Sequence, residues 1–560
     1  MSLLLLMGGS APNVASLFAN NEAGLALDVE TAYLRGWVFQ DSAGQTVAAA
    51  AGDPVGLILD TAKGGLDQLG SDLVSNGTFA SDTVWTKGAN WTIGSGVATK
   101  TGGAANNLTQ TITSTAGLWY RITIDVTRTA GTLTVSLGTS GTTRAISADG
   151  SYTFFILAGS STQTLTLAGD SSFAGTVNNV TARLVPGNHA YQTTSGSRPS
   201  LSIATDSSGR TIYGLTFDGS DDFLQTASIN FPASTIGTRR NLLDSSENWG
   251  SPWTGTVASA TFNQPGPEGL NNATTFTTAL TGGQTHVQTV ANYTPSQQYV
   301  VTFWVKAGTA TTANFGMYAN GSFLSQTGSV LSGSGAITGT TLQTISGLSA
   351  LSWTKFQVVF TAPASGQLDL YFYGETSGVK TGLSQSIAQF QVELGSTPTA
   401  YQPTGTDKMT VMAGVRKLSD AASGMIIEIG ISSAAGSFSF LAPNSVSPNG
   451  DYYFRSRGTG SSNATSAKSA PSTDVLSGIG DISGDISSLR INGSVAATST
   501  ADQGTGNYTN NALYIGSRGG SSLRFNGILY TLIVRGATTP TGTIADFEKN
   551  LLARRCGVTF

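Results

Sequence analysis

Leu513–Arg535 reads LYIGSRGGSSLRFNGILYTLIVR. Two strand-like runs, 512–515 and 529–534, flank a Gly/Ser turn and the phrase Arg-Phe-Asn-Gly-Ile. Apolar side chains alternate at Leu513 and Ile515, then at Ile528, Tyr530, Leu532 and Val534. A period of two predicts a half-buried antiparallel strand pair. Gly519-Gly520 and Asn526-Gly527 supply residues that tolerate the positive φ of tight turns. A lone hairpin does not make a domain, so the rest of its sandwich must be sought elsewhere in the chain.

Composition narrows the search. Of 560 residues 11% are charged, well below the roughly 25% of ordinary soluble domains. Glycine occurs 70 times, while the hydrophobic share is 39% and the net charge only -4. That hydrophobicity and near-neutrality oppose disorder and favour a large β-rich protein. With a pI near 5.3 there is no basic field for nucleic acid. The lone Cys556 excludes an internal disulfide framework and a cysteine-based zinc site. The start, MSLLLLMGGSAP, has no basic residue before Arg35 and too short an apolar run for a spanning helix. It is expected to pack on a neighbour rather than enter a membrane.

Along the chain two styles of text alternate. Residues 17–64 carry short apolar runs between Gly, Asp and Pro. At Leu73 a new unit begins, centred on LWYRITIDVTR, where Tyr120, Ile122, Ile124 and Val126 alternate with Arg121, Thr123, Asp125 and Thr127. The first style returns at Gly187 with GNHAYQTTSGSRPSL and FDGSDDFL, and breaks again near Arg240. A second unit follows, centred on YVVTFWVKAG, which can be laid on the first with Tyr299 against Tyr120 and Phe303 against Ile124. Short strands at this spacing predict sandwiches, and the alignment predicts two copies of one type. After Thr404 the outer style resumes. It ends in a helix over 544–552, with Ile544, Phe547, Leu551 and Leu552 on one face.

Three phrases carry a resemblance. Phe39-Gln40-Asp41-Ser42-Ala43-Gly44 with Asp53-Pro54-Val55-Gly56-Leu57, then His189, Gln192 and Arg198-Pro199 with Phe217–Asp222, resemble a family of tailed-phage virion proteins. The 513–535 phrase resembles the close of laminin-G/concanavalin A-like jelly rolls. The two units resemble carbohydrate-binding-module jelly rolls. The fold expected is all-β: a laminin-G-like jelly-roll sandwich split in three pieces (1–66, 187–238 and 405–560) with two inserted β-sandwich domains (67–186 and 239–404). Insertion suits turn-like host sites such as Gly64-Gly65 and Ile236-Gly237. The partner strands of 513–535 should then come from 25–59 and 212–224.

Candidate chemistry is sparse. The two histidines, His189 and His286, are expected at the surface or in loops. The acidic strand MIIEIGI offers the single carboxylate Glu428, where glycoside hydrolysis requires a pair, so catalysis is not expected. Asp218, Asp221 and Asp222 form an acidic turn that would either hold calcium through hard oxygen ligands or bond its own backbone. In the second unit Tyr299, Val301, Phe303 and Val305 form a core face and Trp304 and Lys306 point away. On 368–373, Asp369, Tyr371 and Tyr373 point outward. If these strands are neighbours, Trp304, Lys306, Tyr371 and Tyr373 share one face, suited to sugar rings or to a protein partner. The resemblance implies a non-enzymatic protein on the exterior of a phage particle (tail fibre, tail tip or decoration). Its partners would be other virion proteins and host-surface glycans, and its assembly a homo-oligomer, expected as a trimer. The alternatives are a secreted bacterial carbohydrate-binding adhesin and a glycan depolymerase.

Overall fold

The computed structural model describes residues 12–18, 22–139, 141–159, 164–229, 231, 242–243, 254–255, 259–267, 273–277, 285–290, 293–373, 383–398, 407–430, 434–444, 450–482, 484–504 and 506–560. The apolar start over 1–11 and the expected second insertion point at Ile236-Gly237 lie outside them.

The chain is all-β, with six antiparallel sheets that close in pairs around apolar cores. The host sandwich draws strands from three separated segments. Its eight-stranded sheet runs Ser200–Thr205, Thr211–Asp218, Asn526–Arg535, Lys408–Lys417, Ser472–Asp481, Ile486–Ile491, Ser494–Ser499, and Gly24–Asp28 also pairs with Asn526–Arg535. Its nine-stranded sheet runs Val38–Phe39, Leu57–Ile58, Ala190–Tyr191, Leu224–Thr226, Leu513–Ile515, Met425–Ile429, Ser437–Leu441, Asp451–Arg457, Ser461–Ala467. The partners of 513–535 thus lie hundreds of residues earlier: Leu25 opposite Val534, Leu215 opposite Leu529 and Leu224 opposite Ile515.

The expected hairpin is corrected. Leu513–Ile515 and Asn526–Arg535 do not pair; each belongs to a different sheet. The Gly/Ser turn carries the chain across the sandwich, and the amide of Phe525 donates to Gly516 O at 2.9 Å. Gly516, at φ +82°, lies under the Phe217 ring, where a Cβ would collide. The half-buried alternation is corrected too. A bulge opposite Gly414 and Val415 flips the pattern. Leu529, Leu532 and Val534 face the inter-sheet core, whereas Tyr530 and Ile533 face a second core under the C-terminal helix. That helix (Thr541–Phe547, a π turn at Glu548–Leu552, then Ala553–Cys556) buries Ile544, Phe547, Leu551 and Leu552 as its periodicity predicts. Arg555 locks it to the first host segment, giving two 2.8 Å bonds to the Asp28 carboxylate and one of 2.6 Å to Glu30.

The two inserts share one topology. In the first, Trp119–Ala130 lies between Gly150–Leu157 and Ala174–Val185; in the second, Gln298–Ala307 lies between Thr354–Thr361 and Ser384–Leu394. The opposing sheets also correspond, with Leu133–Leu137, Thr164–Gly169 and Asn106–Thr111 matching Ala313–Ala319, Leu368–Tyr373 and Thr285–Thr289. Two local details repeat. The Tyr120 hydroxyl accepts from the Thr115 amide at 2.8 Å, and the Tyr299 hydroxyl from the Thr294 amide at 2.7 Å. Each closing strand carries a bulge with a non-glycine residue at positive φ, Asn179 (51°) and Gln389 (53°).

The copies attach differently. Trp119, Phe155 and Val185 of the first insert belong to the host's own core, and the Phe155 ring sits 5.3 Å from that of Phe39. The Phe155 amide donates to Ala43 O at 2.8 Å. The core of the second insert, centred on Phe303 among Phe315, Phe356, Phe372 and Phe390, contains no host residue among those described.

Candidate functional site

The single aromatic face expected from Trp304, Lys306, Tyr371 and Tyr373 is corrected. Gln298–Ala307 and Leu368–Tyr373 belong to opposite sheets of the second insert. Phe303 and Phe372 meet edge to face across the core at 6.3 Å. Their alternate residues therefore point to opposite sides of the sandwich. Trp304 and Lys306 are half-buried on one side, with the Lys355 ammonium 5.5 Å over the indole. Tyr371 and Tyr373 lie on the other.

On that other side the structure adds two rings. Tyr371 and Tyr373 stack at 5.9 Å and 22°. Tyr318, on the adjacent strand Ala313–Ala319, lies 5.2 Å from Tyr371, and Phe323 lies 5.8 Å from Tyr371 and 6.2 Å from Tyr373. All four are half-buried, so their edges and faces reach solvent. Gly316, opposite Tyr371 in register, leaves room for the Phe323 ring, which stands edge-on to both tyrosines, where a Cβ would collide. Polar groups border it. Asp369 accepts from Thr289 Oγ1 at 2.8 Å and from Gln367 Nε2 at 2.8 and 2.9 Å. Burial, then the Asp369 charge, pushes the Tyr371 hydroxyl up, which keeps it a hydrogen-bond donor. Four rings beside a fixed carboxylate and amide can stack on the apolar face of a ring and bond its hydroxyls. Tyr318 and Phe323 escape a reading of single strands. Their signal is the outward register of Tyr318 and the Asn320-Gly321 turn that returns Phe323 to the same face.

The first insert is an internal control. Its matching outward positions are Thr134, Ser136, Thr164, Thr166 and Ala168. The same scaffold thus carries no ring at those positions.

Asp218, Asp221 and Asp222 do come together, each with an oxygen within 4.8 Å of the others. They could converge on one cation, but their oxygens already serve the turn. Asp218 Oδ1 accepts from the Ser220 amide at 2.7 Å, Asp222 Oδ2 from the Asp218 amide at 3.0 Å, and Asp221 Oδ2 from Ser197 Oγ at 3.0 Å.

Both histidines are buried, against the expectation of surface or loop positions. His189 sits where the first insert returns to the host. Its Nδ1 accepts from the Asp60 amide at 3.0 Å, and its Nε2 faces Val185 O at 3.3 Å, which selects the neutral Nε2–H tautomer. Burial lowers its pKa to about 4. His286 packs edge-on against Phe276 at 4.9 Å, and burial lowers it to about 4 as well.

No family model matches the chain, and no curated protein matches it. Among solved structures it is similar to a Ruminococcus gnavus IT-sialidase CBM40 (15% identity, 25% of this chain and 82% of that one, TM-score 0.21). It is also similar to the CBM22-1–CBM22-2 tandem of Paenibacillus barcinonensis Xyn10C (12%, 59% and 100%, TM-score 0.24) and to mouse laminin α1 LG4-5 (12%, 54% and 92%, TM-score 0.18). TM-scores this far below 0.5 leave the functional argument to the side chains of this chain.

Proposed function

We propose that this chain is a non-enzymatic adhesive protein that contacts glycans through the second insert. The observation that carries this reading is the platform of Tyr318, Phe323, Tyr371 and Tyr373, which one copy of the repeated sandwich bears and the other lacks. The virion-like phrases in the host segments support a place on the exterior of a phage particle, as a trimeric tail fibre, tail tip or decoration beside other virion proteins. Trp304 and Lys306, on the far side of the same insert, are in this reading a contact for a neighbouring subunit.

The test is a glycan array probed with the full chain and with Tyr371→Ala/Tyr373→Ala. Each lost ring contact is worth about 0.5–1.5 kcal/mol, so the double variant should bind roughly tenfold more weakly or worse. Unchanged binding by the double variant would refute the assignment. Electron microscopy of particles labelled against this chain tests the location, and mass photometry the trimer.

A further inference from the structure

The nine-stranded host sheet has one face on the core and one turned away from it. Ile427, Ile429, Phe438, Phe440, Tyr452 and Phe454 fill the core side. By alternation Tyr514, Glu428, Ser439, Arg455 and Asn463 form one continuous row across the other side. Tyr514 is opposite Glu428, Glu428 opposite Ser439, Ser439 opposite Arg455 and Arg455 opposite Asn463. Tyr453 and Arg457 flank Arg455 on the same strand face, and Arg518 reaches over the row from the crossing loop.

The middle of this row is polar, buried and incompletely bonded. Glu428 and Ser439 are both 0% exposed; the Ser439 hydroxyl has no hydrogen-bond partner among the described residues, and the Glu428 carboxylate is approached only by the Gly519 amide and by Arg518. Arg518 Nε stands 3.5 Å from Glu428 Oε2, a charge contact without hydrogen-bond geometry. Arg457 Nε is buried with no hydrogen-bond partner among the described residues. Arg455 and Arg518 thus face the Glu428 carboxylate, and Arg457 lies beside Arg455. Burial, and then repulsion from Arg518 and Arg457, lowers the Arg455 pKa, while Tyr453 and Glu428 oppose that shift. Asp451, at the start of the same strand, is committed to the Asn444 amide at 3.1 Å. Gathering like charges on a buried polar face costs stability, and a bound anion offsets the repulsion among the guanidinium groups.

We infer that this face of the host sandwich is a second binding site, one that takes the anionic group of an acidic saccharide between Arg455, Arg457 and Arg518. A guanidinium fork matches a carboxylate or sulfate through paired N–H donors. The half-buried rings of Tyr453 and Tyr514 border the cations and supply apolar surface for a sugar ring, and Asn463 extends the row with an amide. This site is separate from the aromatic platform, which lies on the second insert.

The experiment is calorimetric titration of the full chain with tetragalacturonate (carboxylate) and with a heparin tetrasaccharide (sulfate and carboxylate). Maltotetraose and hexaglutamate serve as neutral and peptide controls. One or both acidic saccharides should bind, and whichever binds identifies the anion. Arg457→Gln and Arg518→Gln should each weaken binding roughly tenfold, the loss of one charge-assisted contact. Arg457→Gln should keep or slightly raise the wild-type melting temperature, because its Nε makes no bond to the described residues and its charge repels Arg455, and should lose the ligand-induced rise in that temperature. Tyr371→Ala/Tyr373→Ala should bind the acidic probes as wild type does, which separates this site from the platform. The inference is overturned if neither acidic saccharide binds at about 1 mM. It is equally overturned if maltotetraose or hexaglutamate binds as tightly, if Arg457→Gln binds normally, or if the platform variant loses the acidic ligand.

Discussion

Truncating Phe303 to alanine should unfold the second insert early and leave the rest of the chain untouched. Phe303 is fully buried, and its ring stacks at 4.7 Å on Phe390, 4.8 Å on Phe315 and 5.7 Å on Phe356. Removing such a ring from a core costs about 3–5 kcal/mol. For a unit of roughly 150 residues each kcal/mol lowers the melting temperature by about 2–4 °C, so the expected shift is about 10 °C. Differential scanning calorimetry of the full chain is the assay. Because the insert's described core holds no host residue, its heat absorption should separate from that of the host. Phe155→Ala is the companion variant. That ring lies in the host core although it belongs to the first insert, so it should lower the host transition and the first insert's together. The reasoning fails if Phe303→Ala moves every transition equally, or if Phe155→Ala leaves the host transition in place.

Four further outcomes follow from the same contacts. Arg555→Met strands the buried Asp28 carboxylate and should destabilise the host by about 3–5 kcal/mol in chemical unfolding, with the second insert unaffected. Burial raises the Glu428 pKa from 4.5 to about 7 against the pull of Arg518; the folded state holds that proton longer, so the stabilisation is full below 4.5 and lost as pH rises through about 7, and Glu428→Gln should flatten this fall in melting temperature. The neutral buried histidines act in the opposite sense: with folded pKa values near 4 against 6.5, their contribution is full above 6.5 and lost as pH falls toward 4, which His189→Gln and His286→Gln should each reduce. Calcium at millimolar concentration should leave the melting temperature unchanged, since Asp218 and Asp222 already accept bonds within their turn and Asp221 accepts from Ser197; a rise would assign them a metal.

The three-part host was legible because its segments share a style of short apolar runs between Gly, Asp and Pro, and because apolar residues must find partners. The inserts were legible through the clean alternation of 120–126 and 299–305. Alternation states which side of a strand a residue takes, but not which sheet the strand joins, and so Trp304 and Tyr371 read as neighbours when they are back to back. Strands such as Ser461–Ala467 and Ser494–Ser499 carry too few apolar residues to signal themselves. The arginine face was hidden for a related reason. Arg455 and Arg457 lie on one strand, Arg518 in a crossing loop and Glu428 in a strand whose composition reads as plain core, and only sheet order brings them together.

The two inserts show how one scaffold divides its work. Laying Tyr120 on Tyr299 places Trp119 against Gln298, and the strand register places Phe155 against Val359. Where the first insert presents two large rings to the host, the second presents an amide and a small aliphatic group. The exchange runs the other way on the opposite sheet, where the strand bearing outward Thr166 and Ala168 in the first copy corresponds to the one bearing Tyr371 and Tyr373 in the second. Aromatic surface is therefore spent once in each copy, on attachment in the first and on an outward platform in the second. A ring buried at a seam stabilises the fold but meets no ligand, whereas a half-buried platform on a separately folded unit stays available to one. In the proposed reading, the contrast between the copies gives the glycan contact to the second insert and a bracing role to the first.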